Sequence, residues 1–206
     1  MENFDRKKHW EHIYQTKELK DVSWFQSIPS TSLDFFKQLD IPLSAKIIDI
    51  GGGDSFLVDH LLNANYKNIS VLDISSAAIE RAKQRLGLRA KSVKWIVADS
   101  ATFNPTEKYD FWHDRASFHF LINEQEISNY IEIAYKNINS KGILVIGTFS
   151  EDGPIKCSGI NIKQYSEKSM TEKLKIYFEK IKCTKVEHKT PFDTIQNFVF
   201  CIFRKL

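Results

Sequence analysis

Lys46 to Ser55 reads KIIDIGGGDS, and the reading of this stretch decides the fold. Ile47, Ile48 and Ile50 form a short β-branched run suited to a strand buried on both faces of a parallel sheet, and three consecutive glycines follow at once. Phe56, Leu57, His60, Leu61 and Ala64 then recur at helical spacing, so the glycines sit where a buried strand hands over to a helix. A loop without side chains can adopt positive φ and let a ligand lie against bare backbone beside helix-terminal amides. A simple tight turn is the competing reading. Asp49 argues for a ligand, because an acid at the last inward position of a buried strand is costly unless something pairs with it, and a cation would suit it.

The pattern repeats downstream. ISVLDIS (69–75) ends its apolar run on Asp73, 24 residues after Asp49, where a doubly wound fold places the carboxylate that binds ribose hydroxyls. VKWIVADS (93–100) does so again with Asp99. Three successive strands ending in Asp49, Asp73 and Asp99 make a carboxylate-lined crevice at the carboxyl edge of one sheet. A nicotinamide or flavin dinucleotide site needs G-x-G-x-x-G, and after Gly51 and Gly53 the third glycine position holds Phe56.

With these motifs the sequence resembles the class I S-adenosylmethionine-dependent methyltransferases, over the span from about Trp10 to the C-terminus. The resemblance implies S-adenosyl-L-methionine as cofactor and S-adenosyl-L-homocysteine as product. Asp49 and Gly51, Gly52 and Gly53 would hold the methionine end, Asp73 with its neighbour Ile74 the ribose, and Asp99 with Ser100 the adenine. Ser55 departs from the family, whose loop usually ends on glycine. HWEHIYQ followed by SWF resembles the aromatic N-terminal segments that close over the cofactor in several members, which adds Trp10, Tyr14 and Trp24 to the expected cofactor contacts.

The rest of the chain reads as repeated βα alternation. Helices are expected at Asn3 to Thr16, Ser32 to Leu39, Ser75 to Leu86 and Glu124 to Ile138, the last with a capping box of Asn123 and Glu126. Strands are expected at Lys91 to Val97, Tyr109 to His113 and Gly142 to Thr148. After an irregular excursion from Glu151 to Tyr165, Glu167 to Lys180 reads as a helix, and Lys182 to Lys189 and Asn197 to Arg204 as a terminal antiparallel pair. The fold class is therefore α/β: a Rossmann-like, doubly wound, mostly parallel seven-stranded sheet with an antiparallel C-terminal strand and helices on both faces. Residues 1–206 are expected to form one methyltransferase domain, with a helical lid segment at 1–40 and the core at 45–206.

Composition bounds the function. An apolar fraction of 42% over 206 residues supports one real core, and a net charge of +3 with mixed signs does not imply nucleic acid. No stretch reads as a membrane span or a signal segment, so a cytoplasmic protein is expected. Cys157, Cys183 and Cys201 are an odd number without C-x-x-C spacing, which supports neither a disulfide framework nor a metal site; Cys183 and Cys201 read as core residues.

In-line methyl transfer from a sulfonium needs no protonated leaving group, so the protein mainly supplies proximity, alignment and a dry pocket. In this fold the reacting end faces the loop after the fourth strand, YDFWHDRASFHFL (109–121), where His113, Asp114, Arg115 and His119 gather. Asp114, Arg115 and His119 are the expected catalytic residues, with His119 as the base if one is needed and Asp114 also touching the cofactor. Asp114-Arg115-Ala116 resembles the loop of thiol and chalcogen methyltransferases, and less closely that of lysine methyltransferases of this fold. A small-molecule nucleophile, thiol, chalcogen or amine, is the expected acceptor. The alternatives are a protein-lysine methyltransferase and a non-catalytic partner that binds the cofactor. Cys157, Tyr165 and His188 are further residues with reach toward the pocket.

Overall fold

The computed structural model describes residues 4–206. Helix α1 (Arg6–Thr16) opens with Asp5 accepting a hydrogen bond from the Lys8 amide; the start expected at Asn3 lies outside the described residues. After α2 (Ser30–Gln38) the alternation runs β1 (Lys46–Ile50), α3 (Leu57–Asn63), β2 (Asn68–Asp73), α4 (Ser76–Leu86), β3 (Val93–Val97), β4 (Tyr109–Arg115), α5 (Glu124–Asn137) and β5 (Ile138–Phe149). The excursion holds a small hairpin, β6 (Lys156–Cys157) and β7 (Ile160–Asn161), and the chain continues with α6 (Glu167–Leu174), β8 (Phe178–Lys189) and β9 (Ile195–Lys205).

The main sheet has seven strands in the order β3-β2-β1-β4-β5-β9-β8. Strands β1 to β5 pair in parallel, and β9 runs against both β5 and β8, between which it is inserted. The expected architecture is the observed one. Strand order reverses between β1 and β4, and a crevice opens at the carboxyl ends of strands at such a point.

Period-two alternation along the strands feeds two apolar layers. Ile48, Ile50, Trp112 and Leu144 pack with Tyr130 and Ile131 of α5 and Met170 of α6, whereas Ile47, Phe111 and Val145 pack with Phe35 and Phe36 of α2 and Leu57 and Leu61 of α3. Burial on both faces explains why β1, β2 and the second half of β5 are nearly continuous apolar runs.

Four details differ from the sequence reading. The helix expected over Glu167 to Lys180 stops at Leu174: Met170, Leu174 and Phe178 share a helical period, but Phe178 pairs with Lys205 as the first residue of β8. Strand β4 extends to Arg115 through its ladder with β5, where Arg115 lies opposite Gly147. Asn123 caps α5 through the Gln125 amide while Glu126 pairs with Arg6, so no capping box forms there. Finally, Cys183 and Cys201 form a disulfide, because they are direct cross-strand partners on β8 and β9 with Cα atoms 4.1 Å apart.

Candidate active site

A cleft at the carboxyl ends of β1, β2 and β4 encloses about 1190 Å³, counting its open mouth. Asp49, Gly51, Gly52, Asp73, Ile74, Asp99 and Ser100 line it on the sheet side, and Trp10, Tyr14 and Trp24 on the N-terminal side. Gly53, expected at the cofactor, is not among the lining residues. At φ +39° it sits in left-handed backbone, and a Cβ there would stand 2.6 Å from Asp73 Oδ2. A Cβ on Gly52 would stand 2.6 Å from Asp49 Oδ2. Glycine at these two positions thus leaves both carboxylates bare toward the loop.

The loop is braced from outside the cleft. The Asp54 carboxylate, 5% exposed, pairs with Arg81 and Arg85, and Arg85 also binds Asp59 and the Ser55 carbonyl. Ser55, which departs from the family glycine, accepts the Leu57 amide through its hydroxyl and so helps to start α3. Phe56, where a dinucleotide fold needs its third glycine, lies under the Arg85 guanidinium, 4.2 Å from its centre.

Helix α1 is pinned at three points rather than hanging free. Arg6 reaches Asp99 (2.7 Å) and Glu126 (2.9 Å); Glu11 accepts from the Ser75 and Ser76 hydroxyls and the Ala77 amide at the start of α4; Arg81 donates to the Tyr14 and Lys17 carbonyls at the end of α1. The Glu11 carboxylate complements the positive end of the α4 dipole. Trp10 completes the attachment edge-on to Trp24 and Phe120, at ring separations of 5.6 and 4.9 Å.

The HDR segment divides by strand alternation. His113 and Arg115 project to the cleft, and Asp114 between them projects to the opposite face. The Asp114 carboxylate accepts the Ser117 and Phe118 amides and the Tyr130 hydroxyl, so it shapes the turn after β4 and does not line the cleft. Burial pushes its carboxyl up to about 6. His119 does not line the cleft either. It is fully buried, its Nδ1 accepts the Phe149 amide, and burial followed by the charge of Arg115 pushes it down to about 3, which leaves a neutral and weak base.

Arg115 does border the cleft. One guanidinium nitrogen donates to the Trp24 carbonyl (3.1 Å), the group lies over Phe198, and the buried Nη2 has no partner among the described residues. Cys157 stands in the same wall as a free thiol that burial pushes up to about 11. Tyr165 packs against Phe118 and His188 binds the Ser23 carbonyl and Gln26; neither lines the cleft. Sequence reasoning missed Ser32 and Gln26 as cleft residues, since both come from segments whose local pattern signals only a helix start and a loop.

A sheet of this order, with a glycine loop between strand-end acids at its switch point, defines the class I S-adenosylmethionine-dependent methyltransferase fold. Residues 47–142 match the family described as a methyltransferase domain. It is 28% identical over 107 residues to malonyl-[acyl-carrier protein] O-methyltransferase 2 of Ilyobacter polytropus, a match spanning 52% of this chain and 40% of that relative's length. Among solved structures, a protein from a study of the conversion of a disulfide bond into a thioacetal group during echinomycin biosynthesis superposes with a TM-score of 0.79 at 15% identity, covering 97% of this chain and 92% of its own. The N-methyltransferase NodS of Bradyrhizobium japonicum, in complex with S-adenosyl-L-homocysteine, superposes at 0.71 with 18% identity, covering 98% and 99%. The class uses S-adenosyl-L-methionine, and the bared Asp49 and Asp73 carboxylates beside the glycine loop fit its ammonium and ribose diol. Among the described residues no helix is long and apolar enough to cross a membrane.

Proposed function

We propose that the protein transfers a methyl group from S-adenosyl-L-methionine to a small acceptor that reacts as an anion, a thiolate or a carboxylate. The single observation that carries this reading is Arg115 Nη2, buried in the cleft wall without a partner among the described residues. An orphaned guanidinium N–H costs about 1–3 kcal/mol, which an anionic acceptor group repays. The bound cofactor supplies an electrophilic methyl on a sulfonium.

Asp49 takes the ammonium of the cofactor's amino-acid end, Asp73 the ribose hydroxyls and Asp99 the adenine side. Trp10, Trp24, Phe120 and Phe149 exclude water, which favours a reaction that neutralises opposite charges. Among the described residues, and apart from the acids given to the cofactor, no group poised as a general base faces the cleft: His119 and Asp114 point away, His113 is bonded at both ring nitrogens, and Cys157 is a neutral thiol. A nucleophile already deprotonated in water suits such a site, whereas an alcohol or amide would need a base. Thiols remain the leading class, and the relatives' names, O-methyltransferases of a malonyl group, add carboxylates to it.

A screen with labelled S-adenosyl-L-methionine over thiols, carboxylic acids and amines tests it. Label is expected in the anionic acceptors, with Arg115→Met lowering kcat/KM about 10²-fold while S-adenosyl-L-homocysteine affinity holds. Methylation confined to amines, or an unaffected Arg115→Met, would overturn the reading.

A further inference from the structure

Strands β1 and β4 are neighbours in register, and Asp49 lies directly opposite His113. Their side chains share one face, where His113 Nδ1 stands 2.7 Å from Asp49 Oδ1 and His113 Nε2 stands 2.9 Å from Ser32 Oγ on α2. Asp49, His113 and Ser32 are 4%, 2% and 1% exposed. With a carboxylate at Asp49 and a neutral ring at His113, Nδ1 donates to Oδ1 and Nε2 accepts from the Ser32 hydroxyl. Asp49 Oδ2 has no hydrogen-bond partner among the described residues and faces the glycine loop beside Gly52.

We propose that Ser32 and His113 are positioning residues that hold Asp49 in one orientation, as the acceptor for the ammonium of the cofactor's amino-acid end. The proposal rests on the methyltransferase reading above. Ser32 locks the ring tautomer, the ring locks Oδ1, and Oδ2 is left as a preorganised acceptor that need not reorient when the cation arrives. The relay also links α2 to the glycine loop, and neither neighbouring sequence motif reveals it.

Calorimetric titration separates this role from a merely structural one by comparing S-adenosyl-L-homocysteine with 5′-methylthioadenosine, which keeps the nucleoside and sulfur and lacks the amino-acid end. His113→Phe is expected to weaken S-adenosyl-L-homocysteine about 10- to 100-fold and Ser32→Ala about 3- to 10-fold, with 5′-methylthioadenosine unchanged in both. His113→Asn, whose amide nitrogen stands in for Nδ1, is expected to restore S-adenosyl-L-homocysteine affinity to within about threefold of wild type. If Ser32→Ala and His113→Phe weaken the two compounds by the same factor, or leave both unchanged, the relay is overturned and the methyltransferase reading stands. Wild-type protein that binds neither compound overturns the methyltransferase reading and the relay with it.

Discussion

Arg6 Nη2 lies 2.7 Å from Asp99 Oδ2 and ties the first helix to the acid that follows β3 in the cleft wall. Glu126 of α5 shares the same guanidinium, at 2.9 Å, so one cation spans two carboxylates on separate elements. The groups are partly exposed, and such a contact is worth about 1 kcal/mol at low salt. Arg6→Ala is therefore expected to lower the melting temperature by about 2–4 °C. Added salt should narrow the gap to wild type. Calorimetric melts of Arg6→Ala, Asp99→Asn and the double variant check the coupling: full additivity of the two single losses would show that the pair contributes nothing.

Asp73 predicts a pH dependence of the ligand-free protein. Burial pushes its carboxyl up to about 7, the Ser75 amide opposes the rise and the Asp49 charge adds to it. In the unfolded chain the group titrates near about 3.9, so the folded state holds the proton more tightly. Its stability contribution is complete below about pH 4 and is lost as pH rises through about 7. Asp73→Asn, which keeps the shape without the charge, should gain on wild type by on the order of 3 kcal/mol between pH 4.5 and 8 in urea unfolding. Ribose hydroxyls donate to the ionised form, so wild type should bind S-adenosyl-L-homocysteine more tightly at pH 8 than at pH 6. A gap independent of pH would refute the assignment of the shift to this residue.

His119 is expected to matter for folding and not for proton transfer. Its ring packs between Phe120 and Phe149 and its Nδ1 satisfies the buried Phe149 amide. His119→Phe preserves the aromatic volume and strands that amide, at a cost of about 1–3 kcal/mol. Urea unfolding should show the loss, while the pH profile of kcat keeps its shape. A lost limb in that profile would return His119 to the reaction.

The Cys183–Cys201 disulfide is separated by 18 residues, and a loop of that size is worth about 3 kcal/mol in the chain-entropy treatment. Dithiothreitol should lower the unfolding free energy by about 2–3 kcal/mol, and the double variant Cys183→Ala/Cys201→Ala should match the reduced protein and ignore the reductant. Equal stability with and without reductant would mean that the bridge adds nothing to the native fold.

The sheet and the acid-lined wall of the cleft were legible because their signals are local. Ile47 to Ile50 and Ile69 to Leu72 are short apolar runs, each followed closely by glycine or an acid, and a parallel strand buried on both faces demands that pattern whatever its partners, while Val93 to Val97, a partly exposed edge strand, shows it more weakly. Asp49, Asp73 and Asp99 all reach the cleft for the same reason: the carboxyl ends of neighbouring parallel strands share one edge. The acceptor side was less legible. His113, Asp114 and Arg115 read as one polar cluster, and only the extension of β4 along β5 makes them alternate, sending Asp114 into the α5 layer and leaving Arg115 at the cleft. That extension depends on pairing with Gly147, far along the chain. The Asp49–His113–Ser32 relay and the Cys183–Cys201 bridge are likewise products of register, between β1 and β4 in one case and β8 and β9 in the other. The sequence by itself determined the elements, their order and the acids at their ends, because those follow from periodicity and burial within a few residues. Only the tertiary structure decided which polar side chains meet, because a strand's register turns each residue to one face or the other, and register is settled by partners distant in the chain.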